Sequence, residues 1–360
     1  LLPDKDDQGF PRLSPVGEIH CDAVRWARQH SARGVPYTPV AFMLHRDAGW
    51  VPPRHLYTGK RYLAWGNLPY SRADHATDAL FRLVWPGYQD CSYYEDERGY
   101  LTPTPYGDMF DVILDDAPDQ CLRRYQTVIL ISDTGLGDEA SVERLRRFVR
   151  EGGELVVDAV AARQLGPSLT GIDITSRRRA AQESVVLPAG EVVAEEPYSY
   201  LVAQPAGARA LVLSEHGDGT VWEHEAGRGR VIVCCAQSYV AARTQDPQKG
   251  VDVPLQHKLL RGFSRVLDEY LRGLALVEVE GDVRGSVGYL GNVSGDAGQI
   301  IVTLVNNGQR EAQVSIKPRG GQRIVAARWW LGRGELRDGV AQTSLPAGDL
   351  AIVKLRLAGR

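Results

Sequence analysis

The stretch "QTVILISDTGLGDEASVERLRRFVREGGELVVDAV" (Gln126–Val160) decides the fold. Its aliphatic and β-branched opening reads as a buried strand that breaks off at Ser132, Asp133 and Thr134. Helical periodicity follows, with Asp138 placed as the cap, acidic residues in the first turn and glycines at the end. "ELVVDAV" then resumes as a strand. A strand, a covering helix and a second strand of this length make the unit from which parallel sheets are built.

The same alternation runs upstream. "TPVAFML" (Thr38–Leu44) reads as a strand, "ADHATDALFRLVWP" (Ala73–Pro86) as a helix and "FDVILDD" (Phe110–Asp116) as a strand. Together these predict a doubly wound α/β domain over residues 35–274. Before it, residues 1–34 hold one amphipathic helix, with Ser14 and Pro15 as cap and first-turn residue, Ile19, Ala23, Trp26 and Ala27 at helical spacing, and Gly34 as a stop. Between Gln164 and Gly229 the pattern turns to short β runs with Gly-rich turns, expected to pack on the sheet as an extension that "VIVCCA" (Val231–Ala236) closes. "PLQHKLLRGFSRVLDEYLRGL" (Pro254–Leu274) reads as the last helix. From residue 275 to 360 six short strands at regular spacing predict a small antiparallel β-sandwich.

The bulk numbers narrow the function. With 360 residues, 43% hydrophobic content, 24% charge and a net charge of −3, the chain has the composition of a folded multidomain protein. Nothing in that balance favours nucleic acid or an anionic membrane as partner. No apolar run approaches the ~18 residues of a membrane span, so the chain is expected to be soluble, either cytoplasmic or secreted with its signal removed. The five cysteines have no CxxC pair and no metal-ligand spacing, so neither a metal, a cofactor nor a disulfide framework is expected; Cys234 and Cys235 read as small residues of a buried strand.

Chemistry in doubly wound sheets gathers at the carboxyl ends of strands. The positional candidates are His45, Arg46, Asp47, Trp50 and Arg54 after the first strand, and Asp115 and Asp116 after the second. Ser132, Asp133 and Thr134 follow the third strand and Asp158 the fourth. A carboxylate pair there could serve a glycosidic bond as acid and nucleophile or base if the two groups lie roughly 5–10 Å apart. Strand-end aspartates also cap the next helix, and that reading competes with catalysis for Asp133 and Asp158. A second cluster, "YQDCSYYEDERGYLTPTPYGDMF" (Tyr88–Phe110), interleaves Tyr94 and its neighbouring tyrosines, up to Tyr106, with Glu95, Asp96 and Arg98. Aromatics with carboxylates suit a sugar site, and the same composition fits a loop packed at an oligomer interface, the reading that leads here. The catalytic candidates are therefore Asp47, Glu95, Asp96 and Asp133; the substrate-binding candidates are His45, Trp50, Arg54, Trp65, Tyr94 and Arg98. In "RWWLG" (Arg328–Gly332) one of Trp329 and Trp330 must face the sandwich core. There is no GxSxG elbow, P-loop or HExxH, and the two glycines of "GLGDEA" make a weak phosphate signal.

The order of parts, a helix after "LSPVGE", then "RGVPYTPVAFMLHRDAGWVPPR", then "LRRFVREGGELVV" and a small β-sandwich, resembles the C-terminal half of large glycoside hydrolases such as the family 42 β-galactosidases. The resemblance implies a flavodoxin-like, class I glutamine-amidotransferase-like domain used for trimerisation, followed by a C-terminal β domain, with carbohydrate, further copies of the chain or a catalytic barrel as partners. It carries over neither catalytic glutamate, since those lie on barrel strands, and the third strand leads into "ISDTGLG" where an amidotransferase has its cysteine. Two expectations follow: a sugar-binding and oligomerisation region of a glycosidase, or a self-standing glycoside hydrolase using acids at the sheet edge.

Overall fold

A computed structural model describes residues 15–46, 72–85, 104, 106–131, 134–236, 240–242, 256–281, 287–295, 298–320 and 322–358. These residues form mostly β-sheet with few helices. The helix α1 (Pro15–Gln29) leads through the short strand β1 (Val35–Pro36) into β2 (Val40–Leu44), and α2 (Arg72–Val84) precedes β3 (Phe110–Leu114). One turn, α3 (Asp119–Leu122), joins β3 to β4 (Thr127–Leu130). The deciding stretch continues as expected, with α4 (Glu139–Arg150) and β5 (Glu154–Asp158), followed by α5 (Ala159–Leu165) and α6 (Pro167–Thr170).

Strands β2, β3, β4 and β5 pair in parallel, in the order β3-β2-β4-β5, so the chain reverses its direction of travel across the sheet between β2 and β4. The alternation of side chains sorts the core into two layers. Val40, Phe42, Ile129 and Val156 meet α2 and the long helix α7 (Arg261–Leu274) on one face. Ala41, Met43, Val128, Leu130, Leu155 and Val157 meet α4 and α5 on the other. Both faces are thus covered, which is why these strands read as unbroken apolar runs.

Beyond β5 the structure departs from the expected extension. Two 15-residue strands, β6 (Ile172–Val186) and β7 (Glu191–Pro205), form one long hairpin; β8 (Arg209–Ser214), β9 (Gly219–Ala226) and β10 (Gly229–Cys234) follow. β10 lies parallel to β5, and the order β5-β10-β9-β8-β6-β7 makes all of them one nine-stranded sheet. The extension therefore continues the sheet edge to edge. Register breaks at Ile174/Arg178 and Ala181/Glu183 interrupt the two-residue period of β6, and the sequence pattern reads as shorter runs for that reason. Gln256–Lys258, expected as the first turn of the last helix, is a strand (β12) paired with β11 (Val240–Ala242). Cys234 and Cys235 are fully buried at the end of β10, as the pattern implies.

The C-terminal unit is two antiparallel sheets around a third core. One holds β13 (Val277–Gly281), β16 (Ala312–Pro318), β19 (Val340–Leu345) and β18 (Gly334–Arg337). The other holds β14 (Val287–Val293), β15 (Gln299–Asn306), β20 (Leu350–Ala358) and β17 (Arg323–Leu331), with β1 on its edge. Two of these strands, β18 and β19, go beyond the six expected. A bulge between Trp329 and Leu331 resolves the paired tryptophans: Trp329 packs against the sandwich core, while Trp330 meets the ring of His30 at 5.1 Å and of Trp26 at 6.1 Å. Trp330 is the surface on which α1 rests. Gly34 serves this junction and not the helix end: its φ is +73° and an added Cβ would lie 2.2 Å from the Val293 carbonyl oxygen, so only glycine lets β1 approach β14.

Candidate functional site

The carboxyl edge of the parallel strands brings together His45, Arg46, Asp115 and the Gly135–Asp138 turn. Asp115, at the end of β3, is 3% exposed. Its Oδ1 accepts the Arg46 backbone N–H at 3.0 Å, and its Oδ2 lies 3.8 Å from His45 Nε2. The adjacency follows from the register, since Leu44 and Leu114 are partners and each strand delivers its next residue to the same edge. Gly137 closes over the pair: a Cβ there would stand 2.9 Å from His45 Nε2 and 3.1 Å from Asp115 Oδ2.

The turn is held from behind. The Gln164 carboxamide accepts from Leu136 N at 2.7 Å and donates to Leu136 O at 3.1 Å. Arg144 donates to the backbone carbonyls of Asp115 and Ala117, both at 2.8 Å, and the Ser141 hydroxyl donates to the Asp115 carbonyl at 3.3 Å. Gln164 and Arg144 are the residues that sequence reading missed. Gln164 acts on a turn 28 positions away, and no local pattern in a helix such as α5 marks that reach.

Two strand-end or turn aspartates act as caps. Asp158 is 2% exposed, and its Oδ1 accepts from Val160 N at 2.8 Å and Ala161 N at 2.9 Å, starting α5. Asp138 accepts from Ser141 N at 2.8 Å, starting α4, and faces an Arg46 guanidinium nitrogen at 3.6 Å. The Ser141 backbone N–H, helped by Arg46, holds the Asp138 carboxyl below the usual aspartate range. Asp116 is exposed. Chemically, the described edge offers one buried carboxylate that fixes a backbone turn and faces a histidine; the other carboxylates cap helices or meet solvent.

Of the expected site residues, His45 is placed here. Asp47, Trp50, Arg54, Trp65, Tyr94, Glu95, Asp96, Arg98 and Asp133 lie outside the described residues. Tyr106, the described tyrosine of the aromatic stretch, is a core residue: it is buried, donates to the Leu83 carbonyl at 3.2 Å, and burial pushes its hydroxyl pKa well up. Among the described residues no three His, Cys, Asp or Glu side chains group as a metal site, and no helix is long and apolar enough to cross a membrane; the latter says nothing of strands.

Searched by sequence, the chain matches no protein-family model and no curated protein at a significant level. Its architecture is similar to that of glycoside hydrolases of known structure. A β-galactosidase from Bacillus circulans sp. alkalophilus shares 14% identity at a TM-score of 0.53, over 97% of this chain and 46% of that one. A GH42 β-galactosidase from G. stearothermophilus gives 14% and 0.54, over 98% and 45%. The α-L-fucosidase isoenzyme 2 from Paenibacillus thiaminolyticus gives 11% and 0.54, over 96% and 52%. The chain thus spans about half the length of these structures, and at this identity the likeness is one of fold.

Proposed function

We propose that this chain is the non-catalytic, C-terminal-type region of a carbohydrate-active enzyme related to the family 42 β-galactosidases. In this reading it binds sugar, assembles into a homo-oligomer such as a trimer, and supports a catalytic barrel. One observation carries it: nearly the whole chain superposes on less than half, or about half, of several glycosidases. The order β3-β2-β4-β5-β10, which is 2-1-3-4-5 when the parallel strands are counted along the chain, supports a flavodoxin-like, amidotransferase-like α/β domain. Separate cores on either side of residue 275 support the boundary between residues 35–274 and 275–360, with residues 1–34 proposed as a leading helical segment.

The self-standing hydrolase is the weaker reading because the buried strand-end acids are engaged by backbone donors. Asp115 holds the Arg46 amide and Asp158 holds two helix N–H groups. The test is turnover of a panel of nitrophenyl glycosides by the purified chain, alone and with a family 42-type barrel domain added in trans, alongside its mass in solution by light scattering. We expect no turnover alone, a mass above 39.6 kDa for one chain, and association with the barrel. Turnover by the chain alone that Asp47→Asn or Glu95→Gln abolishes would establish the hydrolase instead.

A further inference from the structure

A cleft of about 230 Å³ opens on the seam between the α/β sheet and the sandwich, at the end of β3 opposite the sheet-edge residues. Its walls come from the end of α2 (Trp85), the segment entering β3 (Thr104, Asp108), β14 (Tyr289, Leu290) and the residue after β15 (Asn307). The two units are stitched together beneath it: Asp108 N donates to Tyr289 O at 3.0 Å, and Asp108 and Leu290 form a parallel bridge. Clefts at such seams, apolar inside with a few convergent polar groups, are where small ligands bind.

The walls are preformed. Trp85 is wedged edge-on among Phe42, Phe81 and Phe110, with centroid distances of 5.7, 5.0 and 5.8 Å. Its indole Nε1 lies 3.4 Å from Asp108 Oδ1. Tyr289 is pinned by its hydroxyl, which donates to the Val277 carbonyl at 2.9 Å. At the mouth stand the exposed Asp108 carboxylate and Asn307 carboxamide, with Leu290 43% exposed beside them.

The chemistry of that mouth selects among ligands. A carboxylate has about four lone-pair sites and the long contact to Trp85 uses one, so Asp108 can accept from several hydroxyls. The Asn307 amide both donates and accepts. An anion would be repelled by Asp108, and a purely apolar ligand would strip water from it without replacing the hydrogen bonds. An ammonium ion would satisfy Asp108 and leave the Asn307 donors unmatched. A neutral ring with an apolar face and a rim of hydroxyls satisfies all three features, and the volume accommodates a single ring, being smaller than the roughly 300–1,000 Å³ of drug-sized sites.

We propose that the Trp85–Asp108–Tyr289–Asn307 cleft binds one neutral pyranose residue. The inference deepens the scaffold reading, which has the chain bind sugar without placing the site, and rests on it for the choice of sugars. It is tested by titrating the full chain with galactose, fucose, mannose and glucose, reading tryptophan fluorescence and the Trp85 indole N–H signal by NMR. Asp108→Asn, Asn307→Ala and Trp85→Phe are run alongside, with circular dichroism to show that each variant is folded. Because Asp108 and Asn307 are exposed, their substitution leaves the core intact. We expect saturable binding to at least one sugar with a dissociation constant on the order of 1 mM, a loss of roughly tenfold or more in the Asp108 variant, the amount one hydrogen bond to a charged group contributes, and of roughly two- to tenfold in the Asn307 variant, the amount of a neutral one. Binding that the variants leave unchanged overturns this site but keeps sugar binding, which then lies elsewhere. Saturation by tetramethylammonium and by none of the sugars overturns the ligand class. No saturation by any probe overturns the proposal and the sugar-binding part of the scaffold reading, while light scattering and the barrel-association experiment decide its oligomer and barrel parts separately.

Discussion

Removing the Asp158 carboxylate (Asp158→Ala) should loosen the start of α5 far more than the same change at Asp138 loosens α4. Both residues cap a helix, and burial separates them. At Asp158, 2% exposed, Oδ1 accepts two backbone N–H groups at 2.8 and 2.9 Å. Loss of a cap costs about 0.5–2 kcal/mol and a buried donor left without a partner about 1–3 kcal/mol. These figures describe the same hydrogen bonds and overlap, so the expected cost is about 2 kcal/mol. At Asp138, whose side chain is 43% exposed, water can take over the Ser141 N–H, and the loss should be a fraction of that. Because the chain holds several units, one unfolding midpoint is a poor measure, and hydrogen exchange at Val160 and Ala161 reads the effect locally. About 2 kcal/mol corresponds to roughly 30-fold faster exchange. The loosened helix also carries Gln164, so protection of the Leu136 N–H should fall with it. Exchange at Val160 and Ala161 that rises less than about threefold in Asp158→Ala would refute the reasoning, since the carboxylate would then not be holding the helix start.

Acid should loosen the β8–β9 turn. Burial opposes the charge on Asp218, but hydrogen bonds from Tyr200 at 2.5 Å and Arg179 at 2.7 Å prevail and hold its pKa below the ordinary aspartate value. Likewise, the backbone N–H groups of Glu183 and Gln182 outweigh burial at Glu215 and lower its pKa. Depressed carboxyls stabilise above their unfolded values of about 3.9 and 4.3, and that stability disappears as pH falls through the folded values; exchange protection around Ser214–Asp218 should drop below about pH 4, and Asp218→Asn should flatten the drop. Gly34→Ala should weaken the β1–β14 junction by more than the ~1–2 kcal/mol of a left-handed backbone alone, because the added methyl also meets the Val293 carbonyl; limited proteolysis after Gln29 should quicken. Tyr270 joins α7 to the sheet through Glu154 and, at 2.5 Å, through Thr127 Oγ1, so Tyr270→Phe should cost about 1–2 kcal/mol, read as faster hydrogen exchange along α7, with no change in secondary structure by circular dichroism.

Legibility followed the range of the interactions. The parallel strands and α4 were readable because their apolar runs and caps are local, and Asp138 does cap α4. The β18–β19 hairpin was also readable in principle: Asp338 and Gly339 both have positive φ, the turn that an Asp-Gly pair signals, although "GELRDGVAQTSL" is too polar to stand out as strands. The β6–β7 hairpin was obscured by its register breaks. At the sheet edge, the convergence of His45, Arg46 and Asp115 followed from strand ends, whereas the Gln164 bracket and the Arg144 contacts depend on how α4 and α5 pack, which no window of sequence contains.

The way the edge acids are held also bears on which function the site can serve. A general acid for a glycosidic bond must keep its proton near its working pH, which requires an environment that raises the carboxyl pKa. Hydrogen bonds from backbone N–H groups do the reverse, because they favour the charged form. Asp138 lies below the aspartate range for that reason, so it gives up its proton more readily than an ordinary aspartate, the opposite of what a general acid needs. A nucleophile faces a different demand, an open approach to the sugar. Asp115 does not meet it, since Gly137 leaves no room for even one methyl group between the turn and the Asp115–His45 pair. The same contacts that make these acids poor catalysts make them good fasteners: each ties a loop or helix start to the strand end from which the next element departs. Such fastening at the described strand ends supports the proposed scaffold reading over the hydrolase one.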